Sequence, residues 1–378
     1  MTASPLSVQL VDPSAFTPPY DHELAGALAR AGVRVELVTS RFAYGEVPRA
    51  EGYAVDERFY RFAPGVPGSR TRRAAKLVQH LPDMLRWQAT RAARRADVVH
   101  LQWLTVQPLD VHLPPIALPP SRRPPLVLTA HDVLPREPRP GQLDAQRRLY
   151  ERVEAVVVHS EHGAARLRDE LRIDPARVHV IPHGAFAHFP ELDDPAPLPP
   201  ELAATDKPVV LCFGLMRPYK GIDVLLEAWR GIEDAELWIV GLPKMDLAPL
   251  RAAAPPNVRF VPRFVADREL PAFFRRADLV VLPYREIDQS GVLFTALAFG
   301  TPLLLSAVGG FPEVAAAGAA KLVPPGDVQA LHDALGDLLA DPAARERLAA
   351  TARAAAATTY SWDAIAARHI ALYEALRR

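Results

Sequence analysis

The 378-residue chain is expected to fold as two doubly wound α/β domains, each a mainly parallel sheet covered by helices. Three observations predict this. The length is too great for one ordinary α/β core and suits two. Short apolar runs alternate with amphipathic stretches nearly from end to end, as strand–helix–strand units do. A proline- and acid-rich break, ELDDPAPLPPELAATDKP at residues 191–208, cuts that alternation into two halves.

In the first half the candidate strands are residues 7–11, 33–39, 98–101, 126–129, 155–158 and 178–181. Amphipathic stretches at 22–30, 72–95 and 161–171 separate several of them, which specifies parallel strands with helical crossovers. After the break the strands are 209–213, 237–240, 258–261, 279–282, 303–306 and 320–323, and from about Asp327 the pattern is helical to the end. The expected domains are residues 1–190 and 208–360, with a final helix at 361–378 crossing back to the first domain. Two such sheets present strand carboxyl ends to a shared crevice, where ligands bind in this class.

Bulk properties exclude several functions. Lysine plus arginine equals aspartate plus glutamate, 44 against 44, which argues against wholesale nucleic-acid binding. The one cysteine, Cys212, sits in the apolar run VVLCF; it offers no disulfide and no zinc spacing, and reads as a buried inert thiol in a reducing cytoplasm. Residues 1–10 lack the basic and long apolar regions of a signal peptide. The uncharged stretch 289–312 fails as a membrane span, because Gly300-Thr301-Pro302 and Gly309-Gly310-Phe311-Pro312 break it. It reads as helix, turn, strand, loop.

The most informative segment is Phe213-Gly214-Leu215-Met216-Arg217-Pro218-Tyr219-Lys220-Gly221, directly after the first strand of the second domain. It sets two cations on a strand-to-helix loop with a helix starting near Ile222, and a cation beside a helix N-terminus forms an anion site. A second anion-binding element follows the strand at 279–282: Glu286-Ile287-Asp288-Gln289-Ser290-Gly291-Val292, opening a helix over 292–299. Ser290 can cap that helix, and Gly291 allows close approach to backbone N–H groups. Gly300 and Pro302 end it. Taken singly, each is an ordinary loop; together they suggest a diphosphate held between two loops of one sheet.

These segments, with LTAHDVLP at 128–135 and VHVIPHG at 178–184, resemble family 4 of the retaining glycosyltransferases, which have the GT-B fold. The resemblance extends over most of the chain and is similar to a subgroup with an RPYKG loop and a QSGV helix start. It implies a nucleotide-diphosphate sugar as donor, with Arg217 and Lys220 neutralising the departing diphosphate. It assigns Gly214 of the first loop, and Gln289, Ser290, Gly291 and Val292 at the start of the phosphate helix, to donor binding, and Arg263, Phe264 and Val265 to the nucleobase. His131, at a strand end, would contact the transferred sugar from the first domain, and Glu286 would grip sugar hydroxyls. Glu313 would touch the cleft, and His183 with Gly184 would shape the domain junction.

The chain departs from the family pattern in places. Thr295 stands where the family carries a ribose-holding glutamate, so ribose contact is expected to be weaker or displaced. Leu215 replaces a common arginine, for which Arg217 substitutes, and Ser14-Ala15-Phe16 replaces an N-terminal glycine pair. No cofactor and no metal are expected, since no Asp-x-Asp pair occurs to hold a cation with the diphosphate. The first domain, including Tyr20, Gln102 and Trp103, is expected to meet the acceptor, which is a glycan, lipid or small molecule. The same fold also serves epimerases and phosphorylases, and a non-catalytic sugar-nucleotide-binding partner subunit is the alternative of another class. No G-x-G-x-x-G or G-x-x-x-x-G-K-[ST] supports a dehydrogenase or ATPase.

Residues 70–95 hold eight cations (Arg70, Arg72, Arg73, Lys76, Arg86, Arg91, Arg94, Arg95) against Asp83 alone, interleaved with Leu77, Val78, Leu81, Met84, Leu85 and Trp87. Two readings stand. Either this is a domain helix covering the sheet with its apolar face, interrupted at Pro82, or it lies on an anionic membrane at the inner face of the plasma membrane.

Overall fold

The computed structural model describes residues 5–63, 69–90, 95–134 and 140–377. Arg91 and Arg94 of the basic stretch, and Pro135 of LTAHDVLP, lie outside the described residues. Contacts divide the chain into two units, Met1–Pro182 with Trp362–Arg378, and His183–Ser361.

The first unit carries seven strands: β1 (Ser7–Asp12), β2 (Arg34–Ser40), β3 (Ala54–Phe59), β4 (Val98–Leu101), β5 (Leu126–Thr129), β6 (Ala155–Val158) and β7 (Val178–Val180). They pair in parallel in the order β3-β2-β1-β4-β5-β6-β7. Strands such as Val98–Leu101 and Ala155–Val158 are buried throughout, as sheets covered on both faces require. β3 was not anticipated. Its sequence, AVDERF, carries charges and is largely exposed, because it is an edge strand and needs only one partner.

The second unit carries β8 (Val209–Phe213), β9 (Glu236–Val240), β10 (Val258–Val261), β11 (Leu279–Leu282), β12 (Leu303–Ser306) and β13 (Ala320–Val323). Their order is β10-β9-β8-β11-β12-β13, also parallel. Both sheets therefore reverse winding direction once, between β1 and β4 and between β8 and β11. Such reversal points create the crevice where ligands bind.

The chain divides at Pro182, earlier than the expected 190. Residues 183–190 pack with the second unit: Ala185 N–H donates to the Tyr360 carbonyl (2.7 Å) and Phe186 N–H to that of Phe294 (3.4 Å). The segment expected as a free linker is also laid onto this unit. Ala196 N–H donates to the Arg268 carbonyl (2.7 Å), Arg268 pairs with Asp194 (2.6 Å), and a short helix forms at Pro200–Ala203. Proline-rich composition hides such contacts, since they are made largely by backbone.

The C-terminal region forms three helices, Val328–Ala340, Pro342–Ala357 and Trp362–Arg377. The last belongs to the first unit, where Trp362 meets Tyr20 edge to face (5.0 Å) and the Tyr373 hydroxyl bonds His100 Nδ1 (2.6 Å). Among the described residues no helix is long and apolar enough to cross a membrane. Residues 289–312 instead contain the helix Gly291–Phe299, a turn and β12.

The basic helix runs unbroken over Arg70–Gln88, through Pro82, with Ser69 capping it by accepting from Arg72 N–H. Its apolar residues do not all cover the sheet. Met84 and Trp87 are buried, whereas Leu77, Val78, Leu81 and Leu85 are exposed, Val78 at 77%.

Candidate functional site

The two loops singled out in the sequence leave the carboxyl ends of β8 and β11, the strands that flank the reversal point of the second sheet. They are bound to each other. Arg285 N–H donates to the Tyr219 carbonyl (2.8 Å), and the Arg285 guanidinium reaches the Pro218 carbonyl (3.0 Å). The same guanidinium grips Asp223 with two bonds of 2.8 and 2.6 Å, which hold the Asp223 carboxyl below its ordinary range.

Glycines permit this closeness. Gly221 has φ +67, and a Cβ there would lie 2.0 Å from the Pro283 carbonyl oxygen. A Cβ on Gly214 would meet a Val292 methyl at 3.1 Å, so the first loop also abuts the start of the helix at 291.

Lys220 is buried, with its ammonium 3.7 Å from the centre of the Tyr284 ring and 5.4 Å from that of Tyr219. Cation–π attraction of about 0.5–2 kcal/mol helps keep the charge there. The Tyr284 hydroxyl in turn lies 3.4 Å from Ser290 Oγ, so one aromatic side chain joins the cation to the helix start. Arg217 is exposed at the entry to the turn Pro218–Lys220 and forms no ion pair among the described residues.

Ser290 occupies the N-cap position of Gly291–Phe299, yet its side chain makes no capping bond; instead its N–H donates to Gln289 Oε1 (3.1 Å). The Leu293 N–H bonds back to the Ser290 carbonyl (3.1 Å), while the N–H groups of Gly291 and Val292 stand at the positive end of the helix dipole. Gly291 is exposed, and Val292 partly so.

Thr295 is buried and its hydroxyl donates to the Gly291 carbonyl (3.0 Å) within its own helix, so it is a helix residue and no substitute for a ribose-holding carboxylate. Arg263 is held by Glu269 through bonds of 3.0 and 2.6 Å, Phe264 is exposed at 44%, and Val265 is buried. Glu286 and Glu313 are exposed. His183 stacks on Phe294 (4.4 Å) and bonds the Gly184 carbonyl (2.7 Å). Cys212 is buried, and burial pushes its thiol up to about 12. No three or more His, Cys, Asp or Glu side chains form a metal-holding group among the described residues.

In the first unit the four residues expected at the sugar or acceptor come together. His131 stacks on Trp103 (4.9 Å, 9°), meets Tyr20 edge to face (4.7 Å) and lies 3.2 Å, by Nε2, from Gln102 Oε1. Trp103 is anchored by donating to Thr17 Oγ1 (2.8 Å). His159, missed in the sequence, completes the group. Its Nδ1 donates to the Ile181 carbonyl (3.1 Å), and burial lowers its pKa to about 4, so it is neutral at pH 7. Its Nε2 must then accept, which makes His131 Nδ1 the donor across 3.3 Å.

The loop after β1 explains the missing glycine pair. Ala15 takes φ +49 without being glycine, and Asp12 draws the loop together by accepting from the N–H groups of Ser14 (3.2 Å), Phe16 (2.5 Å) and Thr17 (3.3 Å). Asp21 lies beneath, a buried carboxyl raised well above its ordinary pKa by burial and by Asp12.

Comparison with known proteins decides the class. Residues 20–185 match the family described as Glycosyltransferase Family 4, and residues 207–341 match Glycosyl transferases group 1. The chain is a glycosyltransferase, similar along its length to family 4. A D-inositol 3-phosphate glycosyltransferase of Xylanimonas cellulosilytica is 28% identical over 385 residues, covering 94% of this chain and 90% of that protein. Sucrose-phosphate synthase from Thermosynechococcus elongatus superposes with a TM-score of 0.76 at 21% identity, over 98% of this chain and 99% of that one. The Anabaena protein HepE, solved in complex with UDP-glucose, gives 0.70 at 17% identity over 98% and 100%. These neighbours establish the GT-B fold for this glycosyltransferase. Its RPYKG loop and QSGV helix start are the two loops that meet at the reversal point of the second sheet.

Proposed function

We propose that this glycosyltransferase moves a sugar from a nucleoside-diphosphate donor with retention at the anomeric carbon and without a metal. The observation that carries the reading is the joining of two anion-binding loops through Tyr284 and Arg285 at one reversal point. Breaking the anomeric bond places negative charge on the diphosphate. Lys220, Arg217 and the N–H groups at Gly291 and Val292 are preorganised to stabilise it, and removing one such donor typically costs about 3–4 kcal/mol of barrier. Solved complexes of UDP-glucose with a protein of the same fold support a nucleotide sugar as donor.

His131 is proposed to contact the transferred sugar through Nε2, oriented by His159 and Trp103, and Glu286 to bind sugar hydroxyls. The acceptor lies on the side of Tyr20, Gln102 and Trp103. With Thr295 turned into its helix, ribose recognition falls to another group. The exposed Leu77, Val78, Leu81 and Leu85 beside the cations of the same helix support peripheral contact with an anionic membrane from the cytoplasm. Sedimentation with anionic vesicles that weakens with salt is expected, and none at low salt would retire that contact.

The test of function is turnover of a panel of UDP-, GDP- and ADP-sugars. One donor should be hydrolysed slowly and transferred when acceptor is present, unaffected by EDTA. Lys220→Ala should reduce kcat by about 10²–10³-fold. Tight donor binding with no turnover in any condition would contradict a catalytic role for this site.

A further inference from the structure

Thr17 stands where a helix cap belongs and does not cap. β1 ends at Asp12, and the loop Pro13-Ser14-Ala15-Phe16-Thr17 leads into the helix Pro18–Arg30 with Thr17 at its N-cap position. A threonine there ordinarily accepts, through its hydroxyl, from the N–H of the second or third helical residue. Here no such bond forms. Pro18 and Pro19 bring no N–H to the first two positions, so this helix start asks less of its cap. The Thr17 hydroxyl instead accepts from the Trp103 indole N–H (2.8 Å), on the loop after β4.

Both ends of that bond are built. On the Thr17 side, the N–H groups of Ser14, Phe16 and Thr17 converge on the Asp12 carboxyl, and the Thr39 hydroxyl donates to the Asp12 carbonyl (2.8 Å). These bonds hold Ala15 at φ +49, a left-handed conformation that residues other than glycine adopt at a cost and keep only where their surroundings enforce it. Ser14 Oγ, 2.9 Å from Thr105 Oγ1, ties the same two loops a second time. On the other side, the Trp103 ring lies flat on the His131 imidazole, at 4.9 Å and 9°. The remaining supports of that imidazole, Tyr20 edge-on at 4.7 Å and His159 at 3.3 Å, are buried, whereas Trp103 is partly exposed. Stacking alone lets a ring slide and turn in its own plane. An indole has a single N–H and no acceptor, so the oxygen that takes that N–H selects one setting of the ring.

We propose that Thr17 is a positioning residue which, through Trp103, sets the orientation of the His131 imidazole. The consequence for rate rests on the proposed contact of His131 with the transferred sugar; the orientation itself stands on the geometry of the first unit. A hydroxyl withdrawn from capping thus fixes the one support of His131 that is not locked in the core.

The experiment compares the full chain with Thr17→Val, which keeps the branched shape and removes the acceptor, and Thr17→Ser, which keeps the hydroxyl. Neither substitution removes a capping bond. With ring-labelled histidine, the imidazole proton–carbon spectrum of the free protein reports the stacked indole as a ring-current displacement of the His131 signals, identified by their loss in His131→Gln. Thr17→Val should move those signals, Thr17→Ser should leave them at their wild-type positions, and His183, His188 and His332 of the second unit should stay unmoved in both. Turnover is measured as hydrolysis of whichever UDP-, GDP- or ADP-sugar the wild-type chain cleaves fastest. Thr17→Val should lower kcat by about tenfold or more with the donor KM within about twofold, and Thr17→Ser should restore it. His131 signals unchanged in Thr17→Val, or displaced equally in Thr17→Ser, overturn the proposal, as does a rise in KM alone. Hydrolysis of no donor by the wild-type chain counts instead against the transferase reading, and the spectrum then decides the positioning by itself.

Discussion

Asp21 carries two buried oxygens beside the Asp12 carboxylate, and its pKa is raised well above normal because burial and a neighbouring negative charge both disfavour ionisation. An acid whose folded pKa exceeds its unfolded value contributes fully below the unfolded value, near pH 4, and its contribution falls as pH rises through the folded one. Asp21→Asn removes that ionisation while keeping a donor for Asp12. Thermal melts should therefore show it stabilising the protein at pH 7 by more than at pH 4. A second residue-scale expectation concerns Tyr373. Tyr373→Phe deprives the buried His100 Nδ1 of its 2.6 Å partner and should cost about 1–3 kcal/mol in urea unfolding. The place of Arg217 and Lys220 on the loop after β8 was legible at this scale, because the apolar run VVLCF ends at Gly214 and the helical pattern resumes at Ile222. His159 was not, since nothing in sequence distance tells that a histidine 28 residues on will bond His131.

The loop joining β8 to its helix works only as one half of a pair. Gly221 lets the Pro283 carbonyl approach where a Cβ would stand at 2.0 Å, and its φ of +67 is unfavourable for other residues. Gly221→Ala should cost about 3 kcal/mol or more in stability, or separate the loops and abolish donor binding, as unfolding and nucleotide titration would show. Strands were readable almost to the residue where they are buried on both faces, because valine- and leucine-rich runs have no rival reading there. β3 escaped because an edge strand is bound by backbone bonds that charged side chains do not betray. The helix Arg70–Gln88 escaped partly for another reason. Periodicity shows that an apolar stripe exists but not which way it faces, and Leu77, Val78, Leu81 and Leu85 face outward. Thr295 shows the same limit in miniature: its position along the helix was evident, but its bond to the Gly291 carbonyl was not.

At the scale of the whole molecule the chain does not divide at one point. The final helix, Trp362–Arg377, supplies Trp362, Ile365 and Tyr373 to the core of the first unit. Each buried side chain of this kind is worth about 1.5–3 kcal/mol, against a total stability of about 5–15 kcal/mol. Truncation after Ser361 should accordingly destabilise the first unit far more than the second, which limited proteolysis would reveal as selective loss of residues 5–182. The second sheet places its cationic loop at a reversal of strand order. The central claim is that this positive potential is directed at a diphosphate. The most direct measurement compares the affinities of a nucleoside diphosphate and its parent nucleoside for the wild-type chain and for Arg217→Ala with Lys220→Ala. The account predicts that the double variant loses about 10²-fold or more in diphosphate affinity and little for the nucleoside. Equal affinities of both proteins for the diphosphate would contradict it.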